Sequence, residues 1–220
     1  MKVVRLIGKG SSLNTEEVSM KYLRYTLVDN KTNVPVHVAP AKNGPKHPDG
    51  IVPTFAVESS FGTHPIFYGI ADDDLAITDG VQEVSEDRYY REMRDEFKTR
   101  ARAKKTSVEE GGYWVTPEMF IRTDPGSQNR LNQLVTTINN DPEITSIDFE
   151  VIPGVWTTLD TATSLTIAKT ISRHVQRCFS WCKGVHEALD NASTLEEMLP
   201  IVQNIQAFKA DDNPPASGAE

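Results

Sequence analysis

The chain has 220 residues, of which 38% are hydrophobic and 25% charged, with a formal net charge of −8 and a pI near 5.2. This composition excludes a wholly disordered polymer, and its acidity weighs against a broad nucleic-acid surface, which needs clustered Lys and Arg to displace counterions from phosphates. Mean hydropathy is −0.41 and no stretch approaches the ~18 apolar residues of a membrane span, so no membrane insertion is expected.

Length alone predicts one large domain or two small ones. The N-terminal run Val3-Val4-Arg5-Leu6-Ile7 is too short for a signal peptide, so synthesis and residence in a cytoplasm are expected. The two cysteines, Cys178 and Cys182, fall four apart on one predicted helix. They close no long loop, which favours free thiols in a reducing compartment.

Residues 1–82 read as a mostly-β attachment domain. Lys2–Ile7 is a short β-branched run. Tyr22–Val28 alternates, Asp29–Asn33 is turn-like, and Val34–Val38 completes a predicted hairpin with Pro35 at an edge. Ala39–Asp49 is rich in proline and polar residues and reads as a loop. Thr54–Glu58 and Ile66–Ile70 are further strand candidates, and the set suits a small β-sandwich or a partly open barrel.

A charged connecting helix is predicted over 83–110. Ser85 is its candidate N-cap. Tyr90, Met93, Phe97 and Ala101 line one apolar stripe. Glu83, Glu86 and Asp87 precede Arg100, Arg102, Lys104 and Lys105, an order that opposes the helix macrodipole favourably.

Residues 111–208 read as a helical domain with a small β element. Gly111-Gly112 ends the charged helix, and Tyr113–Val115 and Glu118–Ile121 look like strands. Asp124 caps a helix with Pro125 at its first position. Leu131, Leu134, Val135 and Ile138 form its apolar face. A strand at Ile147–Ile152 and a turn at Pro153-Gly154 lead into one long helical pattern from Trp156 to Leu189. Its 3–4 repeat is Ala168, Ile171, Val175, Cys178, Cys182, Val185 and Leu189, the spacing of a seam packed on other helices. Ser193 with Glu196 reads as a capping box for a last helix, which Pro200 should kink or divide. Residues 209–220 read as a disordered polar tail.

Several constellations could carry chemistry. His174, Cys178, Cys182 and His186 share adjacent faces, but four ligands over three turns of one straight helix cannot enclose a tetrahedral ion, so core packing is favoured. Asp72-Asp73-Asp74 with Asp79 lacks the glycine and distal glutamate of a calcium loop and reads as a solvated turn. Gly8-Lys9-Gly10-Ser11-Ser12 lacks phosphate-loop spacing. The Arg100–Lys105 run reads as a solvated helix end. Trp156 is expected to anchor a strand-to-helix corner. Trp181 lies beside the seam, where it can line a second interface or pack in the core. No metal, cofactor or catalytic residues are expected.

The ordered set formed by the charged helix, Gly111-Gly112, an aromatic strand pair, Thr123-Asp124 with Ser127-Gln128 and Leu131, Trp156 with Leu159, Ile167, Ala168, Ile171, His174, Val175 and Phe179, and Ser193–Met198 resembles a small C-terminal domain recurrent in phage tail-fibre and tail-assembly proteins. The resemblance spans residues 113–202. It implies a structural component of the virion tail (fibre, baseplate or adaptor) that passes through the host cytoplasm during assembly. Its partners would be other tail or fibre proteins, in a homo-oligomer. The residues expected in its interface or core seam are Ile171, Val175, Cys178, Cys182, Val185, Trp181, Tyr90, Met93 and Phe97. A tail-fibre assembly chaperone absent from the virion is the alternative expectation, and an enzyme acting on cell-surface polymer a lower one.

Overall fold

The computed structural model describes residues 2–8, 13–27, 47–57, 65–117, 119–152 and 154–209. The fold is α+β: among the described residues an antiparallel sheet precedes four helices interleaved with two small hairpins. The chain divides into two compact units, Met1–Glu96 and Phe97–Glu220.

The first unit is built on five antiparallel strands: β1 (Lys2–Gly8), β2 (Leu13–Tyr25), β3 (Val52–Val57), β4 (Ile66–Asp72) and β5 (Val81–Val84). They run β1-β2-β4-β3, with β5 also paired to β2. The long β2 strand does two jobs. Its first half pairs with β1 (Ser19 opposite Lys2), and its second half lies between β4 and β5, Tyr22 facing Ile70 on one side and Val84 on the other. Alternation along β2 then sorts the side chains, because successive residues point to opposite faces. Leu23, Tyr25 and Leu27 join Ile51 and Ala71 in one core cluster, with Phe67, Leu75 and Val81 against it. Tyr25 hydroxyl lies 2.8 Å from His47 Nδ1, and burial pushes its phenol up to about 12.

Tyr22 points to the other face and meets the start of helix α1 (Glu86–Glu110). Ser85 opens that helix by accepting the Arg88 N–H on its Oγ at 3.3 Å. Tyr89 is fully buried, 4.8 Å from the Tyr22 ring, and its hydroxyl is 2.6 Å from Thr54 Oγ1. Phe55 stacks on Tyr68 at 4.5 Å. Burial raises the phenols of Tyr22, Tyr68 and Tyr89 above the ordinary tyrosine value. This aromatic layer corrects the expected sandwich or barrel: the described strands of this unit form one sheet, and the first turns of α1 cover the face a second sheet would have covered. The Val34–Val38 half of the expected hairpin, the Gly8–Ser12 loop beyond Gly8, most of the Ala39–Asp49 loop and the tail from 210 onward lie outside the described residues.

The second unit begins within α1, where Phe97, Ala101 and Val108 are buried. α1 continues through Glu109-Glu110 and has no basic residue in its last turn. The basic run therefore sits inside the helix, where Lys105 pairs with Glu109 and caps the Phe179 ring at 4.1 Å, rather than at its end. Two short strands, β6 (Tyr113–Thr116) and β7 (Met119–Ile121), form a hairpin. Helix α2 (Pro125–Asn140), strands β8 (Ser146–Ile152) and β9 (Val155–Asp160), and helices α3 (Thr161–Asn191) and α4 (Leu195–Ala207) follow. Ile121, Leu131, Leu159, Ile167 and Ile171 form the core, flanked by Tyr113, Val115, Met119 and Phe149.

Four further expectations are corrected in this unit. The long helix starts at Thr161, because Val155–Asp160 forms β9 and Asp160 is its N-cap, accepting Thr163 N–H at 2.8 Å. Trp156 therefore sits on a strand and is 65% exposed, rather than anchoring a corner. The last capping box is shifted by one: Thr194 is the N-cap and Glu197 reaches back to its N–H. α4 runs unbroken through Pro200, whose ring sits one turn inside the helix.

Candidate docking groove

The groove is assembled from local signals that act in sequence. Gly112 adopts φ of 91°, and its N–H donates to Thr123 Oγ1 at 2.8 Å inside the core. Asp124 then opens α2. Its Oδ1 accepts Ser127 N–H at 3.1 Å and its Oδ2 accepts the Ser127 hydroxyl at 2.8 Å. These Ser127 hydrogen bonds hold the Asp124 carboxyl below the usual carboxylate range, since they favour the charged form. With the helix start so fixed, Ser127, Arg130, Leu131 and Leu134 fall on one face at i, i+3, i+4 and i+7.

The facing wall is the β8–β9 hairpin. Gly154 turns it with φ of 83°, a left-handed conformation that glycine adopts without penalty, and donates its N–H to Glu150 Oε1 at 2.8 Å. Register places Glu150 opposite Trp156 and Asp148 opposite Thr158, whose hydroxyl donates to Asp148 Oδ1 at 2.7 Å. Between hairpin and α2 lies a cavity of about 330 Å³, with Ile121, Leu131, Leu134 and Phe149 as apolar lining. Arg122, Arg130, Asp148, Glu150 and Trp156 supply its charged and aromatic rim.

The rim charges are not equivalent. Arg122 Nε lies 3.3 Å from Asp124 Oδ2, while Asp148 and Glu150 each already accept a hydrogen bond. Arg130 makes no ion pair among the described residues. The groove thus offers an apolar floor, an exposed indole and a guanidinium with no ion pair among the described residues.

The sequence profile described as a domain of unknown function, DUF4376, matches residues 92–209. That is more than half of the chain. The chain belongs to the DUF4376 family. Every residue of the groove lies inside the DUF4376 segment. No curated protein matches the chain, and no solved structure matches it.

The structure distributes the residues expected in a seam or interface. Tyr90 and Met93 are buried in the first unit, Tyr90 ahead of the DUF4376 segment and Met93 just inside it, and Phe97 is buried in the second. Ile171, Cys178 and Val185 are buried, while Val175 and Cys182 are half-buried. Trp181 stacks on Phe208 at 3.8 Å and donates its indole N–H to Asn204 Oδ1 at 2.7 Å, tying α4 to α3. None of these lines the groove.

His174 is buried with its Nε2 3.2 Å from Val108 O and 4.0 Å from Cys178 Sγ. Burial lowers the His174 pKa and raises that of the Cys178 thiol. Among the described residues no three His, Cys, Asp or Glu side chains converge as a metal site. Asp73 and Asp74 sit in an exposed turn. The groove residues Arg122, Arg130 and Leu134 carried no chemical motif. Their one sequence signal was the capped, amphipathic α2 that presents them.

Proposed function

We propose that this DUF4376 protein is a structural component of a bacteriophage tail, acting through protein–protein interfaces and without catalysing a reaction. The observation that carries the reading is the surface the segment presents. Trp156 is 65% exposed beside two arginines and an apolar cavity, and Trp114 is 46% exposed, 5.1 Å from Phe120. Trp and Arg are the side chains that most often carry binding energy at protein interfaces. The resemblance of residues 113–202 to a domain of tail-fibre and tail-assembly proteins supplies the setting. Its partners would be neighbouring tail or fibre subunits, with copies of the chain arranged in a closed symmetric oligomer. It would reside in the virion tail after assembly in the host cytoplasm.

Quantitative mass spectrometry of purified virions tests this. A fixed copy number relative to other tail proteins is expected. Abundance in infected lysate bound to a fibre protein, with absence from virions, would make the chain an assembly chaperone instead.

A further inference from the structure

We infer that His174 is a proton-operated catch: in mildly acidic solution it releases the last turns of α1 from α3 while the rest of the second unit stays folded. The catch does not depend on which assembly the chain joins.

The carbonyl it holds is one the helix itself leaves open. Helical bonds run from the N–H of residue i to the carbonyl of i−4, so α1 would answer Val108 O with the Gly112 N–H. That N–H goes instead to Thr123 Oγ1 at 2.8 Å. Val108 O is thereby among the carbonyls that a helix end leaves without an internal donor, and α1 has no basic residue in its last turn. His174 Nε2 reaches it across from α3 at 3.2 Å.

Protonation spoils this arrangement on the far side of the ring. Nδ1 is buried without a hydrogen-bond partner among the described residues, so an N–H added there loses water and gains no acceptor. Around the ring stand Arg177 and Cys178 of α3, Glu109 of α1 with its own partner Lys105, and Tyr113 of β6. Burial disfavours the imidazolium most; the Val108 carbonyl and Glu109 favour it, Arg177 opposes it, and the net pKa is depressed.

Opening this end of α1 lets water reach the ring and disturbs little else. Between Arg102 and Glu110 only Val108 is buried. Lys105 and Glu109 move together as an i, i+4 pair, and the Lys105 contact with half-exposed Phe179 is of the weak, solvated kind. The core cluster of Ile121, Leu131, Leu159, Ile167 and Ile171 contains no residue of α1. Segments with few buried apolar contacts open on their own, ahead of global unfolding.

Amide hydrogen exchange of the full chain from neutral to mildly acidic pH, corrected for intrinsic rates, tests the catch. The opening constant at Val108, Glu109 and Glu110 should rise by up to about tenfold per pH unit below about pH 6.5, where the opened state takes up the proton the closed state resists. It should exceed that of Leu131 and Ile171 and change little with sub-denaturing urea, because little surface is exposed. His174→Gln keeps a donor for Val108 O and should flatten the pH dependence. An opening constant that ignores pH, one that matches the core amides in size and urea slope, or a pH dependence that survives H174Q overturns the inference. Should H174Q fail to fold, the NMR titration of the His174 ring in the unaltered chain decides: a midpoint below about 6.5 is expected, and one at or above it overturns the catch.

Discussion

His174 Nε2 lies 3.2 Å from the carbonyl oxygen of Val108, joining the middle of α3 to the end of α1. A carbonyl only accepts, so Nε2 carries a proton, and burial favours the neutral ring. Its other nitrogen, Nδ1, is buried with no hydrogen-bond partner among the described residues.

That arrangement predicts an acid-sensitive fold. Burial depresses the folded-state pKa of His174, and nearby Arg177 adds to this, while the Val108 carbonyl and Glu109 act in the opposite sense. The unfolded chain, with histidine near about 6.5, then binds the proton more readily than the folded one. Stability is complete above that value and declines as pH falls from it toward the depressed folded pKa. Urea midpoints measured from neutral to mildly acidic pH should fall, and the fall should be shallower in His174→Gln. An identical acid limb in the variant would remove His174 as its cause.

Trp156→Ala should change stability by no more than about 0.5 kcal/mol, as is usual at exposed positions. A tryptophan anchoring a buried corner would cost about 3–5 kcal/mol on the same change. Denaturant unfolding of the single variant separates the two.

The capping box of α4 makes a sharper comparison between neighbours. Thr194 Oγ1 accepts the Glu197 N–H at 3.2 Å, so Thr194→Ala should cost about 1 kcal/mol. Ser193 contributes only its backbone N–H, to Glu197 Oε2 at 2.6 Å. Ser193→Ala keeps that donor and should be close to neutral. Equal losses from both would refute the Thr194 cap.

Gly112→Ala should destabilise by more than about 1 kcal/mol. The φ of 91° disfavours any side chain, and a Cβ there would overlap the Phe120 ring. Because Phe120 contacts Trp114, indole fluorescence should shift in the variant even where it remains folded.

Legibility in the sequence followed how local each signal is. Asp124-Pro125 places the start of α2 because a cap and a proline at the first position act within one turn. The 3–4 apolar repeat likewise discloses α3. The buried stripe includes Ser164, Ile167 and His174 and leaves Val175 and Cys182 half-buried, since a helix of 3.6 residues per turn drifts against a 3.5-residue pattern. β9 was absorbed into the helix because Val155–Leu159 is short. Its β-branched and aromatic content, and Asp160 just before Thr161, were the available signals. Ser193 and Thr194 are each followed three residues later by glutamate, so spacing cannot choose between them. The groove was hidden for a different reason: Arg130 and Trp156 are brought together only when α2 and the hairpin pack.

The stack of Phe208 on Trp181, with Arg177 donating to the Lys209 carbonyl at 3.3 Å, acts as a clasp on the last helix. Whatever the chain carries after residue 209 departs from a fixed address on α3. A protease cut ahead of Phe208 would release that clasp, leaving the Trp181 ring to water and α4 held by its remaining contacts with α3.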